Sequence, residues 1–478
     1  MTVHVAVIGA YGSAGVAVAD DLANEPNVEL TLIDDGDPGG GLCILRGCMP
    51  SKEVISAGAH RFQARHDHRL FDPPEVDLRA VVETKDEHTS DFAAHRRGAV
   101  HEMAEGENVE LLRESARFVD DRTLAVGDRT VDPDYVVIAT GSVVNVPDLP
   151  GIDDVEFATS ADVLDAATFP DTGLVMGFGY VGLELVPYLA EVGGMELAVI
   201  EHDARPIDEA DPGFGDAALE LYEDSFDVEV LTHTRERRLE PTADGGVRLH
   251  TDRDDEYATV EADRLFCFTG RRSNLDGLGL EHTALDPGPG WVEDTMQARD
   301  DPRTFVVGDA NGREPILHVA KEQGFLAADN VLAHHRGERL TPYENVHHHV
   351  IFSGLGVYPF ARVGHSVETA DVAGLDYVAV TRAASDDGVF RTKAVPEGLA
   401  TLVVDADDGT VLGYQGLHYH ADVMAKTMQL AVEMELDVRS IPDRAYHPTT
   451  PEIIDGLVRE ATAELERHSN EGKGIAGE

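Results

Sequence analysis

The strongest constraint on this fold is a strand, glycine turn, helix and strand pattern that occurs twice along the chain. The first copy runs from HVAVIGA through AGVAVADDLANE to VELTLIDD, and the second runs from TGLVMGFGYVGLELVPYLAEVGG to MELAVIEHD. Buried strands that are joined through a helix form βαβ units of a parallel sheet. Two such units predict an α/β chain with two Rossmann-like domains, each built to hold a dinucleotide.

The second glycine turn has the regular spacing of a phosphate-binding loop. Gly177, Gly179 and Gly182 follow G-x-G-x-x-G directly between a strand and a helix. Glycines in this pattern let a pyrophosphate approach bare backbone N–H groups at the positive end of the helix dipole. Glu201, 19 residues after Gly182, ends the next strand, where it would bind a ribose diol and repel a 2′-phosphate. We therefore expect this loop to bind NAD in preference to NADP. The alternative is that the glycines form a tight turn that binds no ligand.

The first glycine turn is irregular. It reads GAYGSAG from Gly9 to Gly15. If Tyr11 is an inserted residue, the remainder is G-A-G-S-A-G, and Asp34 then follows Gly15 by 19 residues, the interval of the second copy. This agreement favours an insertion into a second dinucleotide loop. The alternative is a structural βαβ turn that binds nothing.

The length and charge of the chain limit its class. A chain of 478 residues with 42% hydrophobic content is long enough for several cores, and we expect three domains. The start of the chain, MTVHVAVIGA, enters a strand pattern directly, and no apolar run has the length of a membrane span. We therefore expect a cytoplasmic protein.

Acidic side chains dominate every segment. The formal net charge of −52, from 90 acidic and 38 basic side chains, would repel nucleic acid and anionic membranes, so neither is expected as a partner. A surface of this kind is typical of a high-salt cytoplasm, because molar salt screens self-repulsion over about 3 Å. The charge therefore indicates a halophilic habitat.

Two of the three cysteines, Cys43 and Cys48, lie five residues apart in GGGLCILRGCMPSK. Five residues of straight helix span about 7.5 Å, whereas bridged Cα atoms lie within about 7 Å, so a bridge requires a distorted turn. Gly47 and Pro50 would permit one. Buried thiols and half of a metal site are the alternatives, but no Cys/His set of suitable spacing completes a tetrahedron. Cys267, in LFCFTG, is interpreted as a small buried hydrophobic residue.

The segment GGGLCILRGCMPSK resembles the redox-active segment of the class I flavoprotein disulfide reductases, which include dihydrolipoamide dehydrogenase, glutathione reductase and mercuric reductase. Further motifs of that family follow in the same order: IATGS, GFGYVGLE, TGRRSN, FVVGDA and HPTTPE. The resemblance therefore covers nearly the whole chain. It implies an FAD-binding domain at residues 1–150 and 268–340, an NAD(P)-binding domain at 151–267 and an α+β dimerisation domain at 341–478.

The resemblance also implies catalytic roles. Cys43 would be the thiol that exchanges with substrate, and Cys48 would face the flavin. His447, oriented by Glu452, would be the acid–base group of Cys43, and in this family it serves the cysteines of the other subunit, so an obligate homodimer is expected. A histidine suits this task because its ordinary pKa is close to neutrality. The two remaining catalytic residues, Lys52 and Glu184, would form an ion pair beside the flavin.

The resemblance further implies cofactor contacts, with no metal site. FAD would be held by Asp34 at its ribose and by Asp309 at its ribityl chain. The full set of expected FAD and NAD contacts comprises Gly9, Gly12, Ser13, Ala14, Gly15, Asp34, Asp35, Gly41, Lys52, Ala139, Thr140, Gly141, Gly177, Gly179, Tyr180, Val181, Gly182, Glu201, Gly270, Arg271, Gly308, Asp309 and His318.

Some positions depart from the family pattern or divide its members. Leu42 and Leu45 replace a hydroxyl residue and an asparagine that are usual around the first cysteine. Ser51 resembles dihydrolipoamide dehydrogenase, whereas Tyr180 resembles the tyrosine that gates the nicotinamide pocket of glutathione reductase. The segment His347, His348, His349 is interpreted as a solvated turn in preference to a set of metal ligands.

We therefore expect a dihydrolipoamide dehydrogenase-like enzyme that moves electrons between NAD(H) and a dithiol, a disulfide or a lipoyl group. The alternative is an NAD(P)H-dependent reductase of a small-thiol disulfide. A mercuric reductase is less favoured, because the cysteine pair near the C-terminus of those enzymes is absent from this sequence. Two other classes remain: a subunit docked on an acyltransferase complex, and an FAD protein that uses oxygen or quinone.

Overall fold

The computed structural model describes residues 2–253, 256–444 and 446–475, with side chains through residue 469. The chain divides into two compact units. The first unit comprises Met1–Pro50, Glu83–Asn145 and Arg271–Asn345, and the second comprises Ser51–Val82, Val146–Gly270 and Val346–Glu478.

The first unit is built on a parallel sheet with both faces covered. Its strands, in spatial order, are Thr304–Val306, Tyr135–Ile138, Val3–Ile8, Val28–Ile33 and Val109–Leu112. These are runs of β-branched and aliphatic residues, and most of their side chains are buried, as a parallel strand with two covered faces requires. The first predicted βαβ unit is the pair Val3–Ile8 and Val28–Ile33, which the helix Ser13–Ala23 connects.

Two helices of this unit pack closely. An added Cβ at Gly324, in helix Leu317–Arg336, would lie 2.6 Å from the Ala14 carbonyl oxygen in helix Ser13–Ala23. Only a residue without a side chain allows this approach. The remaining elements of the unit are an antiparallel sheet (Ala116–Phe118, Leu124–Val126, Arg129–Val131), a ribbon (Ser142–Val144, Arg271–Ser273), the short helix Leu42–Leu45 and most of helix Leu78–Met103.

The second unit contains a second parallel sheet. Its strands, in spatial order, are Val228–Leu231, Glu196–Ile200, Thr172–Met176, Arg264–Cys267 and Phe157–Ala158. The helices of this part are Ser160–Leu164, Tyr180–Glu191 and Pro212–Phe226, and an antiparallel sheet of Thr234–Pro241, Val247–Arg253 and Glu256–Ala262 completes it. Helix Tyr180–Glu191 connects Thr172–Met176 to Glu196–Ile200, so the second predicted βαβ unit is also present.

The C-terminal part of the second unit is an antiparallel sheet covered by helices, as the predicted α+β pattern requires. Its strands, in spatial order, are His348–Ile351, Phe360–Gly364, Val411–His418, Gly398–Asp405 and Tyr377–Ala383. Its helices are Val367–Ala373, Gly388–Thr392, Ala421–Glu433 and Glu452–Ile475. Helix Cys48–His66 contributes Val54 and Phe62 to the hydrophobic core of the second unit.

The α/β fold class with two Rossmann-like parts and an α+β part is confirmed, while the three predicted domain boundaries stay predictions. One local prediction is wrong. His348 and His349 begin a strand instead of a solvated turn, because that strand pairs with Phe360–Gly364 and buries His349. None of the described helices combines the length and hydropathy needed to cross a membrane.

Candidate active site

The second glycine turn forms a tight loop in front of a bare helix end. Gly177 has φ +96°, and an added Cβ would lie 2.5 Å from the Phe268 carbonyl oxygen. At Gly182 an added Cβ would lie 2.6 Å from the Gly177 oxygen. Gly179 is the N-cap of helix Tyr180–Glu191, no side chain caps this end, and an added Cβ would meet nothing within 4 Å. The loop therefore presents open space before uncapped N–H groups, which fits a pyrophosphate.

Glu201 directly follows the strand Glu196–Ile200, at the carboxyl edge of this sheet. Its Oε1 accepts a hydrogen bond of 2.9 Å from the Asp203 backbone N–H. Burial raises the pKa of Glu201 above the ordinary carboxyl value, and this hydrogen bond opposes the shift. The carboxylate thus lies at the strand end at which a dinucleotide ribose is bound in folds of this type.

The first glycine turn repeats this arrangement with one additional residue. Gly9 also has φ +96°, and an added Cβ at Gly15 would lie 2.1 Å from the Gly9 oxygen. Gly12 is the uncapped N-cap of helix Ser13–Ala23. Gly12 follows Gly9 by three positions, whereas Gly179 follows Gly177 by two. The extra residue therefore lies between the first glycine and the N-cap, as the spacing to Asp34 predicts.

The inserted Tyr11 points into the core. Its ring is 1% exposed, and its hydroxyl is hydrogen-bonded to His101 Nε2 at 2.9 Å. An added Cβ at Gly39 would lie 2.3 Å from this ring, so the ring packs directly against the backbone of Gly39. Burial raises the pKa of Tyr11. The extra residue is thus accommodated by the interior of the unit and leaves the helix N-terminus uncapped.

The acidic pair after the second strand is held by local hydrogen bonds. Asp34 accepts the backbone N–H groups of Tyr11 and Gly36, both at 2.9 Å. Burial raises the pKa of Asp34, although the two N–H groups oppose this. Asp35 accepts the Ser115 hydroxyl at 2.6 Å. Asp34 therefore holds the backbone of the inserted residue Tyr11 next to the end of the second strand.

A second cluster of polar groups gathers at the carboxyl end of strand Tyr135–Ile138. The Thr140 hydroxyl oxygen is buried and has no hydrogen-bond partner among the described residues. Ser142 donates to Asp309 Oδ2 at 2.6 Å and accepts from Arg271 Nε at 2.8 Å. Because a buried polar atom without a partner is costly, Thr140 indicates that a ligand completes this part of the unit. FAD fits these residues.

Other predicted contacts lie at loop ends and helix starts. Gly41, with φ +78°, caps helix Leu42–Leu45, and Gly270 has φ +81°. Val181 and His318 each stand second in their helices, and Gly308 begins a 3-10 turn.

The two cysteines flank a break between helices, as the five-residue spacing requires. Helix Leu42–Leu45 ends at Arg46, and Cys48 begins helix Cys48–His66. An added Cβ at Gly47 would lie 3.1 Å from the Cys43 Cα, so the turn is tight. Both residues are thiols in this structure, and the hydrogen bond to Cys48, together with burial, raises the pKa of Cys43 far above its ordinary value. The two sulfur atoms are therefore in contact.

Lys52 and Glu184 form an ion pair. Lys52 Nζ donates to both carboxylate oxygens, at 2.8 and 2.7 Å. Glu184 Oε1 also accepts the Phe352 backbone N–H at 3.1 Å, and Lys52 Nζ lies 4.6 Å from the centre of the Phe352 ring. Phe352 was not predicted, since its contribution is a backbone N–H group that no sequence pattern indicates.

His447 and Glu452 form a pair at the start of helix Glu452–Ile475. His447 Nδ1 lies 2.8 Å from Glu452 Oε1, which also accepts the Thr449 backbone N–H at 3.0 Å. The His447 side chain is 82% exposed in the single chain. The carboxylate therefore fixes one nitrogen of the imidazole and leaves Nε2 on the solvent side.

The first unit thus contains the cysteines and the first glycine turn, whereas the second contains Lys52–Glu184, His447–Glu452 and the second glycine turn. Comparison with known proteins shows which family a chain with this combination of residues belongs to. The family model described as pyridine nucleotide-disulphide oxidoreductase matches residues 3–324, and its dimerisation-domain model matches 350–457. The chain belongs to this family.

Individual relatives agree with this result. Dihydrolipoyl dehydrogenase of Bacillus subtilis is 30% identical over 468 residues, which cover 94% of each chain. Mercuric reductase of Shigella flexneri is 29% identical and covers 95% of this chain and 79% of its own. Among solved structures, the HOCl-induced flavoprotein disulfide reductase RclA from Escherichia coli has a TM-score of 0.81 at 21% identity, with 95% and 99% coverage. The protein is an FAD-dependent pyridine nucleotide-disulfide oxidoreductase that uses NAD(H).

Proposed function

We propose that the enzyme is dihydrolipoamide dehydrogenase-like and oxidises a dithiol such as dihydrolipoamide with NAD+. The observation that carries the proposal is the contact between the two thiols across a helix break, in a chain whose relatives over most of its length include dihydrolipoyl dehydrogenases. FAD, when bound, relays two electrons between this thiol pair and the nicotinamide.

The two cysteines take different roles in this proposal. A substrate thiolate attacks the Cys43 sulfur of the Cys43–Cys48 disulfide, and the second substrate thiol then displaces Cys43, which leaves a substrate disulfide and two reduced cysteines. The hydrogen bond to Cys48 and burial raise the pKa of Cys43, so Cys43 keeps its proton in the reduced pair. This asymmetry supports Cys43 as the exchange thiol and Cys48 as the flavin-facing thiolate.

His447 is the proposed acid–base group. Because Glu452 holds Nδ1, Nε2 is the nitrogen that takes a proton from a thiol and returns it. The exposure of this imidazole in the single chain supports a role at a cysteine of a second subunit, and the match to a dimerisation domain supports the homodimer. Lys52 and Glu184 are proposed positioning residues beside the flavin, and Asp34, Asp35 and Asp309 are proposed FAD contacts.

The proposed preference is for NAD(H) over NADP(H). Glu201 at the strand end would accept the hydroxyl groups of the ribose, whereas a 2′-phosphate would meet a carboxylate. A second candidate function, reduction of a small-thiol disulfide, is favoured by Tyr180, which resembles the gating tyrosine of glutathione reductase. We also propose a cytoplasmic location and a halophilic habitat, on the basis of the net charge of −52.

A substrate panel tests the proposal. Lipoamide and small-thiol disulfides are compared with each nicotinamide in concentrated KCl, and we expect the dihydrolipoamide and NAD+ pair to give the highest kcat/KM. Faster reduction of a small-thiol disulfide with NADPH would instead support the second candidate. Cys43→Ser should abolish thiol turnover, and Cys267→Ala, which changes a buried thiol outside the site, is the matched control. Thiol turnover that survives Cys43→Ser would contradict both candidates.

Size exclusion of the native extract tests the assembly. A free enzyme should elute as a dimer, and a subunit docked on an acyltransferase complex should elute in a megadalton fraction.

A further inference from the structure

Outside the predicted active-site residues, two histidines and a glutamate converge in the second unit. His349 Nε2 lies 3.0 Å from Glu209 Oε1, and His347 Nε2 lies 3.9 Å from Glu209 Oε2. The three ligand atoms lie within 4.8 Å of one another. Around a Zn²⁺ ion with bonds of about 2.0–2.2 Å, ligand atoms are about 3–3.5 Å apart. The three side chains are therefore close to the spacing that one ion requires.

His349 lies in the strand His348–Ile351, and His347 directly precedes that strand and continues its pairing, because the His347 carbonyl oxygen accepts the Gly364 N–H at 2.7 Å. Side chains alternate along a strand, so residues two apart share a face and the residue between them points away. His348 accordingly has different neighbours: its Nδ1 contacts the Val346 carbonyl oxygen at 2.5 Å, and its Nε2 lies 3.4 Å from Gln429 Nε2. The sequence His-His-His thus supplies two ligands and one residue that is excluded from the cluster.

One member of the cluster, His349, is buried, whereas Glu209 and His347 are partly exposed. His349 is 5% exposed, and neither of its ring nitrogens has a hydrogen-bond partner among the described residues. Its Nε2 is near the Glu209 carboxylate without hydrogen-bond alignment, and a cation between the two atoms would satisfy both. The backbone of Glu209 is held as well, because Arg362 donates to its carbonyl oxygen at 2.6 Å and Arg362 is the strand partner of His349.

We propose that Glu209, His347 and His349 bind a divalent late transition-metal ion such as Zn²⁺. Two imidazoles and one carboxylate suit zinc, copper or nickel, whereas Mg²⁺ and Ca²⁺ prefer oxygen ligands alone. Three protein ligands leave a coordination position for water or another small ligand. Tyr180 lies at this site: its ring centre is 5.5 Å from that of His349, and its hydroxyl donates to Glu209 at 2.9 Å.

Calorimetric titration of the oxidised FAD-loaded enzyme with ZnCl₂ tests the proposal, because the Cys43–Cys48 disulfide then removes competing thiols. We expect one Zn²⁺ per chain in wild type. Glu209→Gln, His347→Gln and His349→Gln should each weaken binding at least about tenfold. His348→Gln is the matched control and should keep wild-type affinity. Equal weakening by His348→Gln, or no saturable binding in wild type, would overturn the proposal.

A second measurement keeps the test decisive if a buried variant fails to fold. His347, whose side chain is 29% exposed, is the variant least able to disturb the core. Electron paramagnetic resonance of one bound Cu²⁺ should reveal two imidazole nitrogens in wild type and in His348→Gln, and one in His347→Gln. The same nitrogen count in all three proteins would reject the assignment.

Discussion

The substitution Gly179→Ala tests whether the open space at the N-cap of helix Tyr180–Glu191 is filled by a bound dinucleotide. Gly179 has φ −75° and ψ −158°, which any L-residue adopts, and an added Cβ meets nothing within 4 Å. The substitution should therefore leave the protein's own packing unchanged. It adds a methyl group at the N-cap of helix Tyr180–Glu191, where the pyrophosphate is proposed to approach uncapped N–H groups.

The expected magnitude follows from the bonds that the methyl group would break. A hydrogen bond to a charged group contributes about 1.5–3 kcal/mol, so losing one such bond should raise the KM for NAD(H) by about 10- to 150-fold. Steady-state kinetics with varied NADH measures this. The thermal midpoint should match that of wild type, since the added Cβ meets no protein atom within 4 Å, and the FAD content should match because FAD is proposed to bind at the first glycine turn.

Two other glycines serve as controls. Gly182→Ala would bring a Cβ to 2.6 Å from a backbone oxygen, so the loop itself must shift and the thermal midpoint should fall. Gly98→Ala adds a Cβ at an exposed site of helix Leu78–Met103 with nothing within 4 Å, and it should stabilise the protein by about 0.5–1 kcal/mol with an unchanged KM. A wild-type KM in Gly179→Ala would show that no dinucleotide contacts this N-cap, and a thermal midpoint as low as that of Gly182→Ala would show that the methyl group disturbs the loop.

Three further predictions concern single side chains. His447→Ala should lower disulfide turnover by about 100-fold while dye reduction by NADH persists, and equal loss of both activities would remove its acid–base role. Tyr11→Phe should lower the thermal midpoint by about 1 °C, since it breaks the hydrogen bond of the buried Tyr11 to His101, whereas the exposed Tyr257→Phe should not. Burial lowers the pKa of His418 to about 4, so as the pH falls the unfolded chain takes up this proton before the folded chain does. The free energy of unfolding should therefore fall as the pH drops from about 6.5 to 4. His418→Gln should reduce this pH dependence in thermal scans, and an unchanged pH dependence would show that His418 is not its source.

The predictions that the structure confirms were based on the number of residues between motifs. The equal intervals from Gly15 to Asp34 and from Gly182 to Glu201 located the inserted residue, because strand and helix lengths fix those intervals. The five-residue spacing of the cysteines likewise predicted a distorted turn, since a straight helix would hold them too far apart. Local geometry of this kind is encoded within a few residues.

Contacts between distant segments could not be predicted in this way. The direction of the Tyr11 ring depends on His101, 90 residues later, and the Glu184 carboxylate is completed by a backbone N–H that carries no sequence signal. The segment His347, His348, His349 was predicted to be a solvated turn. Pairing of the strand His348–Ile351 with Phe360–Gly364 buries His349 instead, and the three histidines by themselves do not indicate which strand will cover them.

The break between helices Leu42–Leu45 and Cys48–His66 gives the two cysteines different electrostatic environments. Cys48 is the first residue of a helix of 19 residues whose first turn contains no acidic side chain. The positive pole of that helix therefore favours a negative charge on Cys48, while Cys43 belongs to a preceding helix of only four residues. A continuous helix through both positions would have placed Cys48 in its second turn, so the break gives Cys48, the proposed flavin-facing thiolate, its position at a helix N-terminus.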